Sequence, residues 1–130
     1  MLKFVRAGRT FIYETKNNPF PHLWMVLTDP DPQTGKVILV SMTTSRDHTD
    51  KTVLINVGDH EFVVHETNVD YGGATFGVSS KLERALGSGV ATLKADLSKE
   101  LLQRVRAGVL ASSRPPNEIV GYCKGAFGAK

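Results

Sequence analysis

Histidines stand at positions 22, 48, 60 and 65, and they are the side chains best suited to move protons in this chain. An imidazole acts as base or acid near neutral pH without special assistance. His22 immediately precedes the apolar run Leu23–Leu27, and the hydroxyl pair Thr43–Thr44 ends the apolar run Val37–Met42. If the two runs pair as antiparallel strands, the start of one faces the end of the other, and His22 and Thr43 emerge together. Arg46 follows in the next loop. A structural reading stands beside this one: His22 begins a strand and bonds backbone, while the threonines are strand formers whose hydroxyls satisfy a loop. A second constellation is Asp59-His60 with His65-Glu66. Its oxygen and imidazole groups suit zinc or manganese, and a metal-dependent hydrolase built on them is one alternative. On an unbroken strand, however, the spacing of His60 and His65 puts them on opposite faces. The competing assignment makes Gly58-Asp59-His60 a turn, with Asp59 bonding local backbone.

The elements that must position these residues are short strands. The linker Asp29-Pro30-Asp31-Pro32-Gln33-Thr34-Gly35 holds two prolines, which cannot continue a ladder, and a glycine for positive φ. It predicts a hairpin joining Leu23–Leu27 to Val37–Met42. Both runs are too continuously apolar for a sheet with one wet face, so they belong at the centre of the core, Trp24 included. Further strands are expected at Thr10–Glu14, Thr52–Asn56, Glu61–His65 and Val90–Leu93. The polar stretches Lys16–Pro19 and Ser45–Lys51 are expected as loops, and Gly72–Gly73 as a bend, with no assignment from there to Leu86.

One segment has a helical period. Leu97, Leu101, Leu102, Val105, Val109 and Leu110 fall on one stripe, and Lys99, Glu100, Gln103, Arg104 and Arg106 face out. Ser98 or Asp96 can cap it, and Pro115–Pro116 ends it. Residues 116–123 fit a helix or a strand equally. The expected fold is therefore mainly β, a small SH3-like barrel with a C-terminal helix. It forms one domain over residues 1–130, its core at about 8–112 and a tail from 113.

Composition narrows the function classes. The 130 residues are 41% hydrophobic, enough for one core. No run approaches the ~20 apolar residues that span a bilayer, and the first residues lack the apolar stretch of a signal peptide. The expectation is a cytoplasmic protein without membrane association. Cys123, alone of its kind, permits no intrachain disulfide. The net charge of +3 comes from the second half, where 9 Lys/Arg face 6 Asp/Glu against 7 and 7 in the first. That bias permits a polyanionic partner without requiring one.

The order of features from Phe20 onward resembles the PemK/MazF family of toxin endoribonucleases. Trp24-Met25-Val26-Leu27 corresponds to its first core strand, and Val37–Met42 with Thr43–Thr44 to its second, which ends in a threonine pair. Phe62–Glu66 with Thr67-Asn68, then Gly89–Lys94 and the helix from Ser98, complete the order. Where the family carries an arginine before the first core strand, this chain has His22. The family's glycine-aspartate opening is replaced by Gly8-Arg9-Thr10-Phe11.

The resemblance implies cleavage of single-stranded RNA without metal or cofactor. In that chemistry the ribose 2′-hydroxyl attacks the adjacent phosphate and leaves a 2′,3′-cyclic phosphate. It implies His22 as base or acid, Thr43 bonding a phosphate oxygen, and Arg46 as the guanidinium on the developing phosphorane. Thr44, His65, Glu66, Thr67 and Asn68 would contact substrate, and Tyr71 would stack a base. A homodimer and a neutralising antitoxin protein also follow from the resemblance alone. A non-catalytic barrel that holds nucleic acid or a protein partner is the first alternative.

Overall fold

The computed structural model describes residues 4–13 and 21–127. The end of the expected first strand at Glu14 and the Lys16–Pro19 loop lie outside them. Among the described residues, a curled half-barrel of six antiparallel strands is packed by three helices. In chain order these are β1 (Thr10–Tyr13), β2 (Trp24–Val26), β3 (Lys36–Thr44), β4 (Leu54–Ile55), β5 (Thr67–Val78), α1 (Ser79–Ser88), β6 (Ala91–Lys94), α2 (Lys99–Ala111) and α3 (Asn117–Phe127). Across the sheet the order is β4-β5-β3-β2-β1-β6.

The predicted hairpin is present, with Trp24 opposite Ser41 and Val26 opposite Leu39. Its turn is built by Asp31, whose carboxylate accepts from the backbone N–H groups of Gln33 and Thr34 at 2.9 and 3.1 Å. Gly35 supplies the left-handed step, at φ 72°. Strand β3 is buried from Val37 to Met42, as its continuous apolar character requires. Ile38, Val40 and Met42 enter one core with Met25, Val69, Val105 of α2 and Cys123 of α3. Val37 and Leu39 enter a second core with Phe11, Val26 and Leu82 of α1, against which half-buried Trp24 also packs. Each fully buried side chain of this size contributes about 1.5–3 kcal/mol.

The structure corrects several sequence-based expectations. Gly72–Gly73 do not end a strand; they lie inside the twelve-residue β5. The register with β3 runs from Leu39 opposite Thr75 to Ser41 opposite Asp70, so Val40 alone faces Tyr71–Ala74. This bulge bends the sheet while keeping it continuous, and the Asp70 carboxylate lies over Gly73, where a Cβ would fall 2.7 Å from it and make that side chain shift. The expected strand Glu61–His65 is a turn, and only Leu54–Ile55 of the run before it pairs. Helix α1 occupies the stretch that carried no assignment; Leu82, Ala85 and Leu86 pack it down, and Gly89 closes it at φ 84°.

Nor is the segment after residue 112 a tail. Pro116 opens α3, and Ile119 and Cys123, one turn apart, are buried in the main core. Helix α2 starts where Ser98 Oγ accepts from the Leu101 N–H at 3.0 Å. Two of its basic residues do not face out. Arg104 donates to the Leu54 carbonyl at 2.6 Å and Arg106 to the Leu27 carbonyl at 2.8 Å, while Leu110 is the exposed one.

Two further contacts tie α2 down, one to the sheet and one, just past its C-terminal end, to the loop before β4. Tyr71 is wholly buried, and its hydroxyl donates to the Val105 carbonyl at 2.7 Å. It fits only because residue 108 lacks a side chain: a Cβ there would sit 1.9 Å from the Tyr71 hydroxyl oxygen. Asp50 accepts from the hydroxyls of Ser112 and Thr52, both at 2.6 Å, and from the Thr52 N–H at 2.9 Å. Burial opposes the Asp50 charge, but these bonds and the Arg114 guanidinium outweigh it and hold the carboxyl below its ordinary range.

Gly108→Ala should therefore cost about 1–3 kcal/mol or more through overpacking. Gly121→Ala, in an exposed turn of α3 with open space around it, should gain up to about 1 kcal/mol. Chemical denaturation of both variants checks the pair. A carboxyl depressed in the folded state stabilises above its unfolded pKa and loses that contribution as pH falls through its folded value. Asp50→Asn should thus flatten the acid-side fall in stability and cost about 1–3 kcal/mol at neutral pH. Urea titrations at pH 7 and in the acid range measure both effects.

Candidate functional site

The end of β3 opens into a cleft of about 650 Å³. Its polar lining is His22, Thr43, Thr44, Arg46, His65 and Thr67, and its apolar lining is Pro21, Met42 and the turn residues Phe62, Val63 and Val64. The antiparallel hairpin does what the sequence implies: it brings the residue before β2 beside the last residues of β3. The Met42 N–H donates to the Leu23 carbonyl at 3.0 Å, and the Met42 carbonyl lies 3.1 Å from His22 Nδ1. A carbonyl can only accept, so Nδ1 carries the proton. The neutral ring therefore has its lone pair on Nε2.

His65 arrives from the opposite side, on the 57–66 turn. This turn is pinned by His60, which is buried, donates from Nε2 to the Ala95 carbonyl at 2.6 Å, and accepts on Nδ1 from the Phe62 N–H at 3.1 Å. Asp59 accepts from the Asn56 N–H at 2.9 Å and pairs with Arg104 at 3.7 Å. Held in this way, the turn sets His65 Nε2 at 2.9 Å from Thr44 Oγ1. Thr67 closes the turn by donating to the His65 carbonyl at 2.9 Å.

Arg46 is exposed at the rim. Its carbonyl accepts from the Lys51 ammonium and its N–H donates to Thr49 Oγ1 at 2.9 Å, which fixes the backbone of the loop. Among the described residues its guanidinium engages no carboxylate. No acidic residue lines the cleft, and Arg46 gives its rim a positive charge suited to an anionic ligand.

Not every residue singled out in the sequence reaches this place. Tyr71 cannot stack a base, because it is buried under α2, and burial drives its hydroxyl far above the ordinary range. Asn68 is fully buried opposite Thr43 and does not line the cleft, so it offers no edge to a base. Glu66 is exposed but outside the cleft; its carbonyl accepts from the Ser45 N–H at 3.1 Å. His48 is exposed on the same loop as Arg46 and does not line the cleft.

The Asp59, His60, His65, Glu66 set comes apart as a ligand group. Both His60 nitrogens and the Asp59 carboxylate are committed to the fold, and among the described residues no cluster of three metal-ligating side chains forms. Sequence reasoning also missed the apolar lining from Phe62–Val64, because three consecutive apolar residues read as a strand. The available signal was Gly58-Asp59 just before them, which starts the turn at φ 103°.

His60→Ala should cost about 2–5 kcal/mol, since it strips two buried hydrogen bonds and packing from the turn. His22→Ala and His65→Ala, both at exposed side chains, should move the melting temperature little. Thermal unfolding followed by circular dichroism separates the three.

No helix among the described residues is long and apolar enough to cross a membrane. In comparisons with protein-family models, curated proteins and solved structures, nothing matches this chain.

Proposed function

We infer that this cleft cleaves single-stranded RNA, on a barrel of the SH3-like, PemK/MazF-like kind. The observation that carries the reading is the gathering of two imidazoles, two adjacent threonine hydroxyls and an arginine around one cleft without a carboxylate. Transfer of a phosphodiester to its own 2′-hydroxyl needs a base, an acid and cationic or N–H stabilisation of the phosphorane, and no group beyond these. His22, with its lone pair on Nε2, takes the 2′-hydroxyl proton. Thr43 donates to a non-bridging phosphate oxygen, and Arg46 swings from the rim to neutralise the phosphorane. Thr44, His65 and Thr67 contact the rest of the nucleotide.

Supporting the family resemblance are the antiparallel half-barrel, the threonine pair at the end of its central strand, and α2 following the last strand. Homodimer formation, an antitoxin partner and a cytoplasmic setting belong to the same proposal and rest on the resemblance.

Purified protein incubated with mixed RNA in EDTA should yield fragments ending in 2′,3′-cyclic phosphate and beginning with 5′-hydroxyl. His22→Ala should slow cleavage by roughly 10²–10⁴-fold, and Thr43→Ala by less, as one phosphate contact among several. Protein that binds RNA but leaves it intact with and without divalent metal would make the barrel a binding module. Cleavage abolished by EDTA and restored by zinc or manganese would overturn the metal-free mechanism.

A further inference from the structure

We propose that His65 is the second proton-transfer group of the cleft, protonating the departing 5′-oxygen while His22 deprotonates the 2′-hydroxyl. The proposal rests on the endoribonuclease reading and changes the part His65 plays in it, from contact with the nucleotide to acid catalysis.

Both imidazoles are anchored to one strand. His22 is held by the carbonyl of Met42 and His65 by the hydroxyl of Thr44. Met42 and Thr44 are two residues apart on the same face of β3, so their α-carbons lie about 7 Å apart. A phosphodiester entering the cleft meets one ring from the β2 side and the other from the 57–66 turn. In-line transfer needs that arrangement, because the entering and departing oxygens lie on opposite sides of phosphorus.

Each anchor occupies one ring nitrogen and leaves the other for the substrate. A carbonyl only accepts, so His22 keeps its proton on Nδ1 and offers a lone pair at Nε2. In His65 the proton leaves from Nδ1 and Nε2 keeps its own, so the bond from Nε2 to Thr44 Oγ1 persists before and after transfer. His65 can therefore be an imidazolium before transfer and a neutral ring after it without losing its support. Its Nδ1 has no partner among the described residues and is free to face the leaving oxygen.

The step balances. The 2′-oxygen forms a bond to phosphorus as its proton passes to His22 Nε2. The bond from phosphorus to the 5′-oxygen breaks as the His65 proton passes to that oxygen. The products are a 2′,3′-cyclic phosphate and a 5′-hydroxyl. The titratable and charged groups lining the cleft are His22 before β2, Arg46 after β3 and His65 on the turn, with no carboxylate among them. The pH profile of cleavage should therefore be a bell whose two limbs belong to the two histidines.

A leaving-group substitution tests the assignment. An oligoribonucleotide carries sulfur in place of the bridging 5′-oxygen at a bond the wild-type protein cleaves; a thiolate departs without being protonated. On the oxygen substrate, His65→Ala and His65→Gln should each be slower by roughly 10²–10⁴-fold, with the acidic form's limb gone from the pH profile. On the sulfur substrate both variants should recover to near the wild-type rate, and His22→Ala should not. Circular dichroism confirms that the variants are folded. Equal losses on both substrates, or no loss on either, would overturn the acid assignment alone. A wild-type protein that cleaves no bond of any oligoribonucleotide offered would overturn the endoribonuclease reading, and the assignment falls with it.

Discussion

Strand β3 is apolar on both faces, and every other element is arranged to satisfy that constraint. A strand of this kind cannot lie at the edge of a sheet or face water on one side; β5 flanks it from end to end and β2 covers its middle. Helices must then cover both surfaces. Helix α1 covers the face of Val37 and Leu39, and α2 with α3 the face of Ile38, Val40 and Met42. The bulge at Tyr71–Ala74 curls the sheet about α2, and the Tyr71–Gly108 contact fixes how closely the helix approaches. Burial is continuous from Val37 to Met42, and the half-exposed Thr43–Thr44 pair follows at the end of the strand. There the burial ends, and the cleft opens at that point.

This origin gives the cleft rigid walls. Met42 is buried in the core, yet its carbonyl orients His22. Thr44 is two residues further along the same strand and holds His65. The opposite wall is a turn, but it is not a loose one, because His60 commits both ring nitrogens to backbone partners. Two histidines five residues apart thus have opposite physical fates. His60 gives up its chemistry to hold the turn, and His65 is left exposed at its end. Positioning of this kind, by packed strands and second-layer hydrogen bonds, is what proton transfer requires of its groups.

The central hairpin, the helix at 99–111 and the last strand were legible in the sequence because each carries a dense local signal. Two prolines and a glycine mark the turn, continuous β-formers mark the strands, and a serine cap with a leucine stripe marks the helix. The placement of His22 and Thr43 at one end of the hairpin followed from antiparallel pairing alone. What was not legible depends on contacts distant in sequence. Gly72–Gly73 look like a break, and become a bulge only because β3 continues past them on the other side. Tyr71 looks available beside those glycines, and is buried only because Gly108, far along the chain, leaves room for it. The 79–88 helix has three apolar residues and no side-chain cap at its start, too little local signal to find. Asp59 and His60 look like ligands on paper because the ion-pair partner of the one, Arg104, and a hydrogen-bond partner of the other, the Ala95 carbonyl, lie far ahead in the chain.

The central claim is that the end of β3 receives a phosphodiester between His22 and His65. Its most direct test is a nuclear magnetic resonance titration of the imidazole signals with an oligoribonucleotide bearing 2′-deoxy substitutions, which binds without being cleaved. His22 and His65 should both shift and saturate together at one ligand concentration, with His60 and His48 unmoved, and Thr43→Ala should weaken the binding. Saturable binding that leaves the His22 and His65 signals in place, or that shifts only one of them, would contradict the account.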